Sequence, residues 1–199
     1  MAERPIIFGT WAIPKLLDGS KTQTRRTRGL EEINKNPDEW VQPYQLDVDP
    51  QLWTWRSIKT GEVITIKCPY GQVGDKLWVR ETFDTGYDNV EGTKIFYKAD
   101  FNNTLPKDIY EWKPSIHMPR WASRITLEIT EVRGERLQEI TFDDVVAEGL
   151  NPLADCHGTQ NPTTEARWLY QELWDSLNTK RYPWSTNPWE WPITFELVI

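Results

Sequence analysis

The sequence predicts an α+β protein centred on a small mixed β-barrel with short flanking helices and insertions. Three observations carry this expectation. Five or six short stretches alternate apolar and polar residues at the period of half-buried strands. The helical stretches between them are short, and strands and helices do not alternate regularly as a doubly wound sheet requires. At 199 residues the chain suits a single domain over 1–199, with enough apolar area to offset the entropy of folding.

Pro5–Phe8 reads as a strand and Trp11–Leu17 as a short helix, with Pro14 in its first turn, where a missing N–H is harmless. Asp18 and Gly19 end that helix. The segment GSKTQTRR, Gly19–Arg26, therefore begins at a helix exit, where the chain bends before it extends. Leu30–Thr60 is polar, carries Pro37, Pro43 and Pro50 with scattered Trp40, Trp53 and Trp55, and shows neither a helical nor a strand period. It reads as an insertion. Glu62–Lys67 and Asp75–Phe83 alternate as strands joined by the turn-rich CPYGQVG, and Lys94–Ala99 is another strand. In Ser123–Arg133, Ile125, Leu127 and Ile129 point one way and Thr126, Glu128 and Thr130 the other. Thr141 suits an N-cap, Asp143 and Asp144 suit the positive end of a helix running to Glu148, and Gly149 is its stop. Residues 150–164 form a loop. Thr164 and Glu165 open a longer helix with Leu169, Leu173, Trp174 and Leu177 as its core stripe, and Pro192–Ile199 closes the chain as a strand.

The formal charge is −7, from 23 Lys and Arg against 30 Asp and Glu. That balance argues against nonspecific binding of long duplexes, whose affinity comes from phosphates neutralised by Lys and Arg. No apolar run is long enough to cross a membrane and the first residues lack a signal-peptide pattern, so a cytoplasmic protein without a membrane partner is expected. Two cysteines, Cys68 and Cys156, and two histidines make neither a disulfide framework nor a structural zinc site. No metal or cofactor is expected, and Cys156-His157-Gly158 is assigned no role. The cations are nevertheless concentrated. Lys15, Lys21, Arg25, Arg26 and Arg28 gather around a stretch with no acidic residue between Asp18 and Glu31.

A lysine beside a hydroxyl can activate it when burial or neighbouring cations lower the lysine's pKa. Arg25 and Arg26 can do this for Lys21 beside Thr24, but strand alternation separates the two unless the chain turns at or just after Lys21. The bland alternative is a solvated or phosphate-contacting loop. In LWVRE, Trp78 and Arg80 share one side, where Trp78 can face a cleft. Glu81 falls among Leu77 and Val79 and needs a partner such as Arg25, Arg26 or Arg124, which favours a structural ion pair. In SIHMPRWASR, Arg120 can fork onto a phosphate and Trp121 stack on a base, with His117 beside them. The alternative there is a loop in which Trp121 anchors the core.

GSKTQTRR resembles the motif of the ASCH domain family, within the PUA-like RNA-binding superfamily, whose pattern is Gly-x-Lys-x-x-Glu-x-Arg. Gly19, Lys21 and Arg26 match, and Thr24 stands at the glutamate, as it does in the small bacterial acetylcytidine amidohydrolases of that family. CPYGQVGDKLWVRETF, HMPRWASRITLEITEVR, the Ile-Thr-x-x-Asp helix start and NPWEWPITFELVI are similar to ASCH-like proteins of phages and prophages, over roughly two thirds of the chain. The resemblance implies a PUA-like barrel with Lys21 as proton acceptor and Thr24 as nucleophile. Matching the helix start to Ile140-Thr141 makes Glu148 the proton donor. It further implies a basic cleft for RNA or a modified nucleoside, with Arg25, Arg26, Trp78, His117, Arg120 and Trp121 as binding residues, and hydrolysis of the acyl amide of acetylated cytidine. The amidohydrolases are about half this length and lack the insertions. Two other readings stand beside this one: a noncatalytic reader of RNA or single-stranded nucleic acid, and a phage accessory protein that docks a host protein through its Trp-rich insertion. A ribonuclease is disfavoured by threonine at position 24.

Overall fold

The computed structural model describes residues 1–88, 92–101, 111–155 and 161–198. Cys156-His157-Gly158 and part of the 150–164 loop lie outside them. The described elements are, in chain order, β1 (Glu3–Ile7), α1 (Ile13–Leu17), β2 (Gln23–Arg26), β3 (Tyr44–Leu46), β4 (Asp49–Arg56), β5 (Val63–Lys67), β6 (Lys76–Arg80), β7 (Phe83–Asp88) and β8 (Gly92–Tyr97). They continue with β9 (Thr126–Val132), β10 (Glu135–Arg136), α2 (Phe142–Ala147), α3 (Pro152–Asp155), α4 (Pro162–Asn178) and β11 (Trp189–Val198). The class is α+β, mostly strands in several sheets. Among the described residues, no helix is long and apolar enough to cross a membrane.

The main sheet has six strands in the order β1-β6-β9-β11-β10, with β2 also paired to β11. Its β1–β6 pair is parallel and the others are antiparallel. Among the described residues the hydrogen-bonded path does not return on itself, so the strands form an open sheet where a closed barrel was expected. The C-terminal strand is the hub, because its ten residues are long enough to serve β2, β9 and β10 at different positions. A register shift between Thr194 and Phe195 interrupts its ladder with β9, and there the Phe195 N–H donates to the Thr22 carbonyl at 2.8 Å. That bond anchors the chain just ahead of β2.

Residues 30–60 differ from the expectation of an aperiodic segment. They supply β3 and β4, which join β5 in a three-stranded sheet, so β5 pairs away from β6 and the two expected neighbours lie in different sheets. Trp53, Thr54 and Trp55 are all buried, so both faces of β4 are covered and no alternation marks it. Four of the 12 tryptophans meet here in the core. Trp55 meets Trp191 and Trp189 edge to face with centroids 5.3 and 6.3 Å apart, and Trp53 meets Trp191 at 5.7 Å. Such pairs add to the area they bury. Gly134 permits the contact between sheets, since a Cβ there would lie 2.8 Å from Pro43 Cγ.

Thr141 caps α2 as expected: its hydroxyl accepts from the Asp144 N–H and the Asp144 carboxylate accepts from the Thr141 N–H. Gly149 follows with φ +84°. The longer helix begins earlier than expected, with Asn161 as its cap, because the Asn161 side chain accepts from the N–H groups of Thr163 and Thr164. Its buried stripe is Ala166, Tyr170 and Trp174, while Leu177 is 62 % exposed. The stripe is rotated because Tyr170 and Trp174 pack onto Leu137, Ile140 and Val145 in a second apolar cluster.

Trp55→Ala is expected to lower the unfolding free energy by about 3–5 kcal/mol, since the indole is fully buried between the two sheets. Trp168→Ala, on the exposed face of α4, is expected to stay within about 0.5 kcal/mol of the parent. Urea denaturation of the two variants measures the difference.

Candidate functional site

The chain does turn ahead of β2. Gly19 adopts φ +77°, the Lys21 N–H donates back to the Lys15 carbonyl at 2.8 Å, and the Thr22 N–H donates to the Ala147 carbonyl at the end of α2. Lys21 is thereby turned inward before strand alternation begins. A Cβ at Gly149 would stand 3.0 Å from Lys21 Cβ, so the glycine that stops α2 also lets Lys21 pack against it.

Lys21, Thr24 and Glu148 are 3, 4 and 4 % exposed, and all three line one cavity of about 360 Å³. The Lys21 ammonium bonds to Glu148 Oε2 and also donates to the Glu148 carbonyl at 2.8 Å. It lies 5.6 Å from the centre of the Trp11 ring and 6.0 Å from that of Phe8. Burial pulls the Lys21 pKa below the ordinary lysine value; Glu148 opposes the shift, while the charges of Arg26 and Lys15 reinforce it. The Tyr170 hydroxyl, from α4, donates to Glu148 Oε1 at 3.4 Å. Burial pushes that hydroxyl's pKa well up, and the nearby carboxylates of Glu148 and Glu190 add to the effect.

Arg25 and Arg26, expected to hold ligand, have different surroundings. Arg25 is 4 % exposed and lies among Glu135, Glu190 and Asp144. Burial works against its charge, but Glu190 and Glu135 outweigh it and hold the guanidinium ionised. It also lines the cavity wall, yet with three carboxylates around it the residue is a structural cation, not a free phosphate ligand. Arg26 has no carboxylate partner among the described residues; it donates to the Ile7 carbonyl at 2.8 Å and lies over the Phe8 ring at 5.1 Å.

The remaining expected binding residues do not line the cavity. Trp78 is half-buried on the outer face of the main sheet, between Arg80 at 5.3 Å and Arg120 at 6.0 Å. Arg120 is paired with Glu3, His117 is exposed, and Trp121 is 66 % exposed and so does not anchor the core. Glu81 pairs with Arg124, one of its three expected partners, through bonds of 2.9 and 3.1 Å. Among the described residues, no group of three or more His, Cys, Asp or Glu could hold a metal ion.

Glu135, Asp144, Glu190 and Tyr170 were not singled out from sequence. A signal existed for Glu190, which stands between Trp189 and Trp191 in a stretch too apolar for a solvated carboxylate and so calls for a buried cation. Asp144 was seen only as a helix-start residue. It also accepts from Gln23 Nε2 at 2.9 Å and from Arg133 at 2.6 Å. The comparisons add no relative. The chain matches no family model, no curated protein and no solved structure.

Burial raises Glu190 from its ordinary 4.5 to about 8, against the pull of Arg25. A carboxyl raised on folding favours the folded state below its unfolded pKa, and that contribution is lost as pH climbs through the folded value. Burial acts in the same upward direction on Asp144, but the bonds from Gln23, Thr141 and Arg133 and the charge of Arg25 outweigh it and hold the group well below the usual carboxylate range. Its contribution is present above the unfolded value of 3.8 and is lost as pH falls below it. The urea midpoint is therefore expected to be highest near about pH 5 and to fall towards pH 8. Glu190→Gln is expected to flatten the fall between pH 5 and pH 8 and to leave the acid limb in place.

Proposed function

We propose that this chain is an ASCH-type protein of PUA-like descent that hydrolyses the acyl amide on the exocyclic amine of an acetylcytidine-like nucleoside. The observation that supports this reading is the meeting of Lys21 and Glu148, far apart in sequence, as a buried ion pair in a cavity that Thr24 also lines. Moving the shared proton from Lys21 to Glu148 leaves a base and an acid side by side. Lys21 then takes the hydroxyl proton as Thr24 Oγ attacks the acyl carbon, and Glu148 protonates the leaving amine. Water next attacks the acyl-threonine, Glu148 takes its proton, Lys21 returns one to Thr24 Oγ, and acetic acid departs. The Arg26 guanidinium, which lines the same cavity without a carboxylate partner among the described residues, is the candidate to stabilise the developing oxyanion. Such a substrate arises where RNA is turned over, so the proposed place of action is the cytoplasm.

A noncatalytic reader is favoured by one observation, the exposed Trp121 next in the chain to the exposed Arg120. Docking of a host protein through residues 30–60 is not favoured, because Trp53 and Trp55 are turned into the core.

Incubation with acetylcytidine is expected to release cytidine and acetate. Lys21→Ala and Thr24→Ala are each expected to lower kcat/KM by about 10³-fold, with circular dichroism reporting the fold. Tyr170→Phe is expected to lower kcat, since its hydroxyl donates to Glu148. Absence of turnover at high enzyme concentration, together with RNA binding that survives Thr24→Ala, overturns the enzyme in favour of the reader.

A further inference from the structure

We infer that the cavity carries a phosphate subsite at Arg26, Thr27 and Arg28, so that its ligand is a phosphorylated nucleotide in preference to a free nucleoside. This rests on reading the cavity as a nucleoside site.

The charge balance of the walls is the first ground. Lys21, Arg25, Arg26 and Arg28 line the cavity. Lys21 is matched by Glu148, and Arg25 by Glu135, Glu190 and Asp144. Among the described residues, Arg26 and Arg28 form no ion pair, so two positive charges are left over where a ligand would sit. The second ground is an unmet donor. Arg26 Nε is buried and has no hydrogen-bond partner, although the same guanidinium donates to the Ile7 carbonyl. A buried donor without an acceptor is costly, so rotation of the guanidinium to meet a ligand oxygen at the cavity wall is favoured.

The third ground is convergence. Lys21, Arg26, Arg28 and Tyr70 line the same cavity, and the charges of Arg26 and Arg28 both act on the Tyr70 hydroxyl against the effect of its burial. Glu31 acts on Tyr70 in the opposite sense and is itself paired with Arg181 at 3.6 Å. The main chain at this end is held in place. The Trp191 indole N–H donates to the Arg28 carbonyl at 3.1 Å, and Gly29, at φ +88°, turns the chain immediately afterwards. The Arg28 side chain is left exposed on a fixed backbone. Two guanidinium forks with a threonine hydroxyl between them suit the oxygens of a phosphate ester, which accept bidentate hydrogen bonds. Free nucleotide and the backbone of RNA both present that group.

Calorimetric titration with cytidine, cytidine 5′-monophosphate, cytidine 3′-monophosphate and a short single-stranded RNA tests the inference. At least one monophosphate is expected to bind about tenfold or more tightly than cytidine, with the preference shrinking as salt rises. Arg28→Ala is expected to erase that preference, and Arg28→Lys to restore part of it. RNA binding as tightly as the better monophosphate identifies a phosphodiester, and monophosphate binding without RNA binding identifies a free nucleotide; either supports the subsite. Equal affinity for cytidine and both monophosphates, a preference that survives both Arg28→Ala and Arg26→Gln, or no binding of any probe overturns it. Turnover of acetylcytidine without a phosphate preference sinks the subsite and leaves the amidohydrolase standing. A phosphate preference without turnover sinks the amidohydrolase and leaves the subsite standing.

Discussion

Burying the Arg25 guanidinium is the constraint on which the rest of the molecule depends. A charge taken out of water must be paired, and removing one partner leaves an uncompensated ion in the interior. Three carboxylates meet Arg25 from three parts of the chain: Glu135 in β10, Asp144 in α2 and Glu190 in β11. The pairing can therefore be satisfied only when β2, the hub strand and the capped helix are all in place. Gln23 and Arg133 add bonds to Asp144 and tie the next positions of β2 and the β9–β10 link to the same helix.

That cluster sits behind the cavity and sets its geometry. By holding β2 to α2 it brings Lys21, just before the strand, to Glu148, just past the helix. The two ion systems differ in consequence. Arg25 is surrounded by more negative than positive charge and stays ionised, which suits a support. Lys21 has one carboxylate, two aromatic rings and other cations nearby, and burial lowers its pKa, which suits a proton acceptor. The stretch from Lys21 to Arg28 thus contributes a rigid buried cation in β2, a lysine paired to Glu148 just ahead of it and, at its end, two arginines without acidic partners among the described residues. The concentration of cations in an acidic chain has three separate explanations, one for each environment.

Local features were legible and packing-dependent ones were not. The Thr141–Asp144 capping box and the Gly149 stop were readable because each needs only residues within one turn. The turn at Gly19 was likewise anticipated, since helix exit and glycine coincide there. The strand β4 was missed because burial on both faces removes the alternation that marks a strand. The face of α4 was read in part: Trp174 is buried and Leu173 packs beside it as expected, but Tyr170 and Ala166 take the rest of the stripe and leave Leu177 outside. Of the expected binding residues, Arg26 lies in the cavity with free charge, while Trp78, His117, Arg120 and Trp121 lie on another face.

The sequence by itself determined the α+β class, the strand and helix starts set by caps and turns, and the candidates Lys21, Thr24 and Glu148. The class, the element starts and the pairing of Lys21 with Thr24 follow from residue type, period and spacing, which act over a few positions, whereas Glu148 came only from the family resemblance. Only the tertiary structure decided that the main sheet, among the described residues, does not close on itself, that residues 30–60 complete the core, and which arginine is support and which remains available. The last outcome depends on which carboxylates arrive from more than a hundred residues away, and long-range pairing of buried charges leaves no local signature in the chain.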